Sequence, residues 1–148
     1  MIWPAKYFSL TELTHSDIAV RRSISNVPSA AIAARLADTA VHMDFVRTIL
    51  SYPIIVSSGY RGPDLNKVVG GADTSAHTLG YAVDFTCPGY GIPLHVAEKI
   101  RDSGVKFDQL IYEGAWVHIS FDPRIRQQCL TARFRPGKPV MYENGLHA

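Results

Sequence analysis

A carboxylate set in the middle of a strand limits this chain more than any other feature. The run Tyr81-Ala82-Val83-Asp84-Phe85-Thr86 places Ala82 and Asp84 on one face and Val83 and Phe85 on the other. A carboxylate on a central strand must be paired or bind a metal, because removing an isolated charge from water is too costly to leave uncompensated. No basic residue adjoins Asp84 in sequence. Two imidazoles are available instead: His77 in Ser75-Ala76-His77-Thr78-Leu79-Gly80, and His118 in Trp116-Val117-His118-Ile119-Ser120. All three side chains sit on apolar-flanked segments that read as core strands. Two histidines, an aspartate and an open fourth position make the ligand pattern of a catalytic zinc site. Spacing alone also allows a satisfied core cluster without metal.

With 148 residues, the chain is expected to form a single domain over 1–148, able to bury a core without disulfides. An apolar fraction of 47% with 19% charged residues excludes a disordered or coiled-coil class. A net charge of +2 is too small for a nucleic-acid-binding signature, though it favours an anionic surface such as a cell wall. No segment is apolar for the ~20 residues a membrane span requires. The start, Met1 to Phe8, has no basic run leading into an apolar one, so synthesis in the cytoplasm without a signal peptide is expected. Cys87 and Cys129 form no metal or redox spacing and read as free thiols, a bridge being the alternative.

Along the chain, Ser9 with Glu12 has the capping-box spacing and opens a short helix reaching about His15 or Ser16. Pro28 or Ser29 opens a long helix to about Leu50, with Ile32, Leu36, Ala40, Met43, Arg47 and Leu50 on one stripe. Its alanines allow close packing on a sheet. Ile54 to Ser58 reads as a buried strand, and the Gly- and Asp-rich stretch from Gly59 to Ala76 as an irregular loop beside the site. Gly70-Gly71 lacks the lysine and context of a phosphate loop. Ile92 to Asp102 is a second long helix, stopped at Ser103-Gly104.

Phe107–Tyr112 and Ala115–Phe121 are expected to pair antiparallel through a turn near Glu113-Gly114, with Trp116, His118 and Ser120 on one face. If the Asp84 strand neighbours this pair, Asp84 and His118 point into one cleft. Cys129 to Phe134 is expected as an edge strand, and the tail from Arg135 as irregular. The basic residues after Pro123 read as a solvated run. His15, His42, His95 and His147 have no ligand spacing and read as surface residues.

The pattern Ser75-x-His77-x-x-Gly80-x-Ala82-x-Asp84 followed by Trp116-Val117-His118 resembles the signature of the zinc D-alanyl-D-alanine carboxypeptidase family of cell-wall peptidases. That family shares its metal-site fold with the hedgehog signalling domain and includes many bacteriophage lysis enzymes. The likeness extends to Phe8-Ser9-Leu10-x-Glu12-Leu13 and Ser57-Ser58-Gly59-Tyr60-Arg61, and so over nearly the whole chain. It implies an α+β fold, a small, mainly antiparallel sheet packed against helices, with zinc on the sheet's open face.

The resemblance further implies that His77, Asp84 and His118 bind Zn2+ and that Arg61 holds a substrate carboxylate or polarises the scissile carbonyl. Many relatives carry an acidic general base three residues before the last histidine, where this chain has Ala115. Glu113, five residues before His118, is the nearest candidate for that role, and some relatives place a catalytic side chain at this offset. Ser75, Tyr60 and Trp116 are expected to line the substrate site. The implied activity is hydrolysis of a peptide bond in the peptidoglycan stem by a monomeric, phage-type cell-wall-degrading enzyme. It would act after release or as a virion component. The competing expectation is a zinc-containing cell-wall-binding module that does not turn over, which Ala115 favours.

Overall fold

The computed structural model describes residues 2–148 as an α+β arrangement, and all counts below refer to those residues. Three helices come first: α1 (Leu10–Thr14), α2 (Asp17–Arg21) and α3 (Ala30–Leu50). Strand β1 (Ile55–Ser58), helix α4 (Pro63–Val68), a 3-10 turn (Ala76–Leu79), strand β2 (Ala82–Thr86) and helix α5 (Pro93–Asp102) follow. Strands β3 (Gln109–Tyr112), β4 (Val117–Ser120), β5 (Gln128–Arg133) and β6 (Met141–Asn144) complete the sheet.

The helix starts follow side-chain chemistry. Ser9, Ser16 and Ser29 each accept a hydrogen bond from a backbone N–H of the first turn, satisfying donors that helix geometry leaves orphaned. Helix α3 buries Leu36, Ala37, Thr39, Ala40, Met43, Val46 and Leu50. Truncating Leu36 or Met43 to alanine, both fully buried, would cost about 2–5 kcal/mol. Arg47, on the expected apolar stripe, instead lays its guanidinium over the Tyr7 ring at 4.8 Å. Thr39 Oγ1 donates to the Gly80 carbonyl at 2.7 Å, tying α3 to the segment between His77 and Asp84.

The sheet order is β1-β2-β4-β3-β5-β6. All neighbours are antiparallel except β3 and β5, which run parallel. The sheet is therefore mixed. Its inner face supplies Val83, Phe85, Leu110, Val117 and Ile119 to the main core with α3 and α5. Asp84 and His118 share the other face as direct register partners.

Several local expectations are corrected. Residues 59–76 are not one irregular loop: Pro63 takes the first turn of α4, where its missing N–H costs nothing. Helix α2 adds a second capped turn after α1. His77 sits on the 3-10 turn rather than on a strand. Strand β1 lies at the sheet's edge, so Ile55 is exposed while Ile54 packs inward. Strand β5 is interior, because the tail returns as β6 and covers its outer edge. The cysteines are free, with Cys87 buried. Three of the four arginines after Pro123 are ion-paired while remaining partly exposed: Arg124 with Asp122, Arg126 with Asp108 and Arg133 with Glu143.

Candidate metal centre

Strand register brings Asp84 and His118 together, and the 3-10 turn swings His77 over them. The Asp84 Oδ1 atom lies 3.2 Å from His77 Nε2 and 2.9 Å from His118 Nδ1. The two imidazole rings meet edge to face, with centroids 5.0 Å apart. Side-chain exposure is 3% for His77 and 12% for both Asp84 and His118. Ligand atoms from all three lie within 4.8 Å of one another.

The donor set suits a cation. His77 Nδ1 lies 2.7 Å from the Gly59 carbonyl, which only accepts, so the ring proton is assigned to Nδ1. The Nε2 lone pair then faces the Asp84 carboxylate. Burial pushes the His77 pKa down, against the charge and hydrogen bond of Asp84. Two electron-rich atoms this close in a buried place call for a positive charge between them. Tetrahedral zinc with bonds of ~2.0 Å keeps its ligand atoms ~3.3 Å apart, close to the 3.2 and 2.9 Å from Asp84 to the two histidines. Burial pushes the Asp84 carboxyl up, yet the adjoining imidazoles hold it far below the usual carboxylate range. On His118 burial opposes the charge, and the hydrogen bond and charge of Asp84 outweigh it, raising the pKa.

Ser75 and Arg61 buttress the turn. Ser75 Oγ accepts from the His77 N–H and from Arg61 Nη2, each at 3.3 Å. The Arg61 N–H donates to the His77 carbonyl at 3.1 Å. Arg61 Nε is buried with no hydrogen-bond partner among the described residues. Burial lowers the Arg61 pKa, and the charges of Asp84 and Glu113 oppose this. A cleft of about 200 Å³ opens beside Arg61, lined also by Ser58, Tyr60 and Leu65. Tyr60 itself is buried and belongs to the main core as well as lining this cleft.

At the β3–β4 turn, the Glu113 carboxylate accepts from Trp116 Nε1 at 2.7 Å. Burial and the negative charge of Asp84 push its pKa up, against His118, Trp116 and Arg61. Ala115 is exposed on the same turn. His15, His42, His95 and His147 are all exposed and lie outside the cluster. Larger clefts exist, including one of about 410 Å³ between α3 and the Tyr81 and Phe121 ends of β2 and β4, but that lining lacks the His–Asp–His set.

Two neighbours of the site carry no signal in the sequence. One is the Gly59 carbonyl, whose role depends on backbone direction. The other is Tyr142 on β6, whose phenol is pushed up by burial and by the nearby charges of Glu113 and Asp84.

A buried His–Asp–His cluster on the open face of an α+β sheet, with an ionisable glutamate and an arginine beside it, defines a metallohydrolase-type domain. The sequence pattern of the peptidase M15 family matches residues 6–120, and the chain belongs to that family of zinc metallopeptidases. Comparison with curated proteins finds no match. Among the described residues, no helix is long and apolar enough to cross a membrane.

Proposed function

We propose that the protein hydrolyses a peptide bond in the peptidoglycan stem, as a zinc-dependent carboxypeptidase or endopeptidase that degrades cell wall in phage or prophage lysis. It would act as a monomer, after release or as a virion component. The observation that carries this reading is the convergence of His77 Nε2, Asp84 Oδ1 and His118 Nδ1 in one nearly buried place.

Those three side chains would hold zinc. When bound, the ion supplies a Lewis acid and lowers the pKa of a water from ~15.7 to ~7. Glu113 is the general base: its carboxylate takes the water's proton as the oxygen attacks the carbonyl carbon. It then returns that proton to the amine nitrogen as the C–N bond breaks. Partial desolvation raises its pKa, which suits a group that must both accept and release a proton. Arg61 holds the substrate carboxylate through the guanidinium N–H groups that Ser75 leaves free. Ser75 fixes the guanidinium through Nη2, Tyr60 shapes the adjoining cleft, and Trp116 orients Glu113.

Mass spectrometry of defined stem peptides incubated with the protein tests this, with and without a chelator and zinc add-back. Cleavage that is lost on chelation and restored by zinc is the expected result, and the product masses name the bond. The alternative, a zinc-containing wall-binding module, predicts intact peptides with one zinc still bound per chain. Glu113→Ala separates the roles further. It should abolish hydrolysis while zinc stays bound, and unchanged hydrolysis would remove Glu113 as the base.

A further inference from the structure

Residues 121–148 lie beyond the stretch that matches the family, yet they supply β5 and β6 to the same sheet as the metal centre. Strand register carries the open face outward. His118 is opposite Ile111, Ile111 is opposite Leu130, and one pleat further along, Ala132 is opposite Tyr142. Ile111, Leu130 and Ala132 form an apolar cluster separate from the main core. Phe134, the residue after β5, continues the same alternation and packs on Trp116, with ring centroids 5.7 Å apart. Phe134 and Tyr142 remain 52% and 55% exposed, although Phe134 packs on Trp116 and Tyr142 lies near the charges of Glu113 and Asp84.

We infer that Trp116, Phe134 and Tyr142, standing on the Ile111–Leu130–Ala132 floor, form a subsite for the part of the peptide substrate N-terminal to the scissile bond. The inference rests on the proposed peptidase reading. Arg61 follows the edge strand β1 and takes the carboxylate on that flank, so the remainder of the substrate runs across β3 towards β5 and β6. Three inter-strand steps of ~4.8 Å separate β4 from β6, the length of roughly four residues of extended chain. Half-exposed aromatic rings over an apolar base suit an extended peptide, since they add contact area at little cost in side-chain entropy. Tyr142 is thus a specificity-determining residue on a hairpin that the family match does not include.

The test is steady-state hydrolysis of stem peptides lengthened one residue at a time on the N-terminal side of the scissile bond. The zinc-loaded wild-type protein should gain about tenfold in kcat/KM on lengthening from one to three residues, through KM, equivalent to ~1.4 kcal/mol. Phe134→Ala combined with Tyr142→Ala should flatten that series, while Tyr142→Phe, which keeps the ring, retains it. Met141→Ala, an exposed site on the reverse face of β6, should leave the series as in wild type and controls for disturbance of the strand. A flat series in the wild type, or an unaltered one in the double variant, overturns the subsite while leaving the peptidase reading in place. No cleavage of any length by the wild type overturns the peptidase reading and the subsite with it.

Discussion

The Trp116 indole donates its N–H to the Glu113 carboxylate at 2.7 Å across the β3–β4 turn. A side chain on the metal-facing side of β4 therefore aims the only acid at that turn, and it favours the charged form of Glu113 against the burial that disfavours it. Glu113→Gln should lower kcat by about 10²–10⁴-fold with zinc content unchanged. Trp116→Phe keeps the ring against Phe134 but removes the donor, so the Glu113 pKa rises further. Because the base must be deprotonated to act, the acid limb of the pH–kcat/KM profile should move to higher pH. A limb that stays in place would dissociate Trp116 from the base.

Gly59 links the first helix to the metal centre. Its carbonyl accepts from His77 Nδ1, the next residue's N–H donates to Leu13 O at 2.7 Å, and a Cβ on Gly59 would run into the Leu13 carbonyl. Gly59→Ala must therefore displace backbone, and the acceptor that orients His77 moves with it. Zinc affinity, read by competition with a chromogenic chelator, should fall about 10–100-fold, as expected when a ligand's supporting hydrogen bond is disturbed. Affinity equal to wild type would show that His77 is oriented by other contacts.

Asp84→Asn removes the carboxylate that faces both imidazoles. Saturating the wild type with zinc at about 100 times Kd should stabilise it by about 2.7 kcal/mol, a rise in melting temperature of roughly 5–10 °C for a chain of this size. The variant should show little of that rise and retain far less than one zinc after desalting. An equal thermal shift in both proteins would remove Asp84 from the ligand set.

The geometry of this cluster is partly legible in the sequence because strands alternate. Once Asp84 and His118 fall at matching positions of neighbouring strands, alternating with the core residues Val83, Phe85, Val117 and Ile119, period two places them together on the open face. The long helix is legible for a similar reason, its apolar spacing running from Leu36 to Leu50. Helix α4 is not, since Leu65 is its one buried apolar side chain and its start depends on Pro63. Strand β6 hides because Met141 and Tyr142 are exposed on opposite faces and leave no alternation to read. The parallel β3–β5 pairing joins strands that are not consecutive, which no local pattern encodes. Tyr142 reaches the site through that long-range pairing and the β5–β6 hairpin, whereas Glu113 comes with the β3–β4 turn, which the sequence marks at Glu113-Gly114.

The connection that carries the chain from β4 to β5 is held by one buried carboxylate. Asp108 accepts from the Arg126 N–H, Nε and Nη2 at 3.0, 2.9 and 2.8 Å, while Gln127 and Gln128 donate to the Phe107 and Asp108 carbonyls. Ile125 and Gln127 take positive φ values of 44° and 52°, a conformation costing a non-glycine residue ~1–2 kcal/mol. The Asp108 contacts offset that strain. The Arg126 hydrogen bonds hold the Asp108 carboxyl below its usual range, outweighing burial, with the charges of Arg126 and Arg124 adding to the effect. The folded state therefore binds fewer protons here than the unfolded chain, whose aspartates titrate near ~3.9. The resulting stability is fully present above that value and is lost as pH falls through the depressed folded value. Urea unfolding between pH 6 and pH 2 should show a steeper acid-side loss in wild type than in Asp108→Asn. The variant should begin about 1–3 kcal/mol lower at pH 6, since the Arg126 donors lose a charged partner. Parallel acid-side slopes would show that the β4–β5 link is held without this carboxylate.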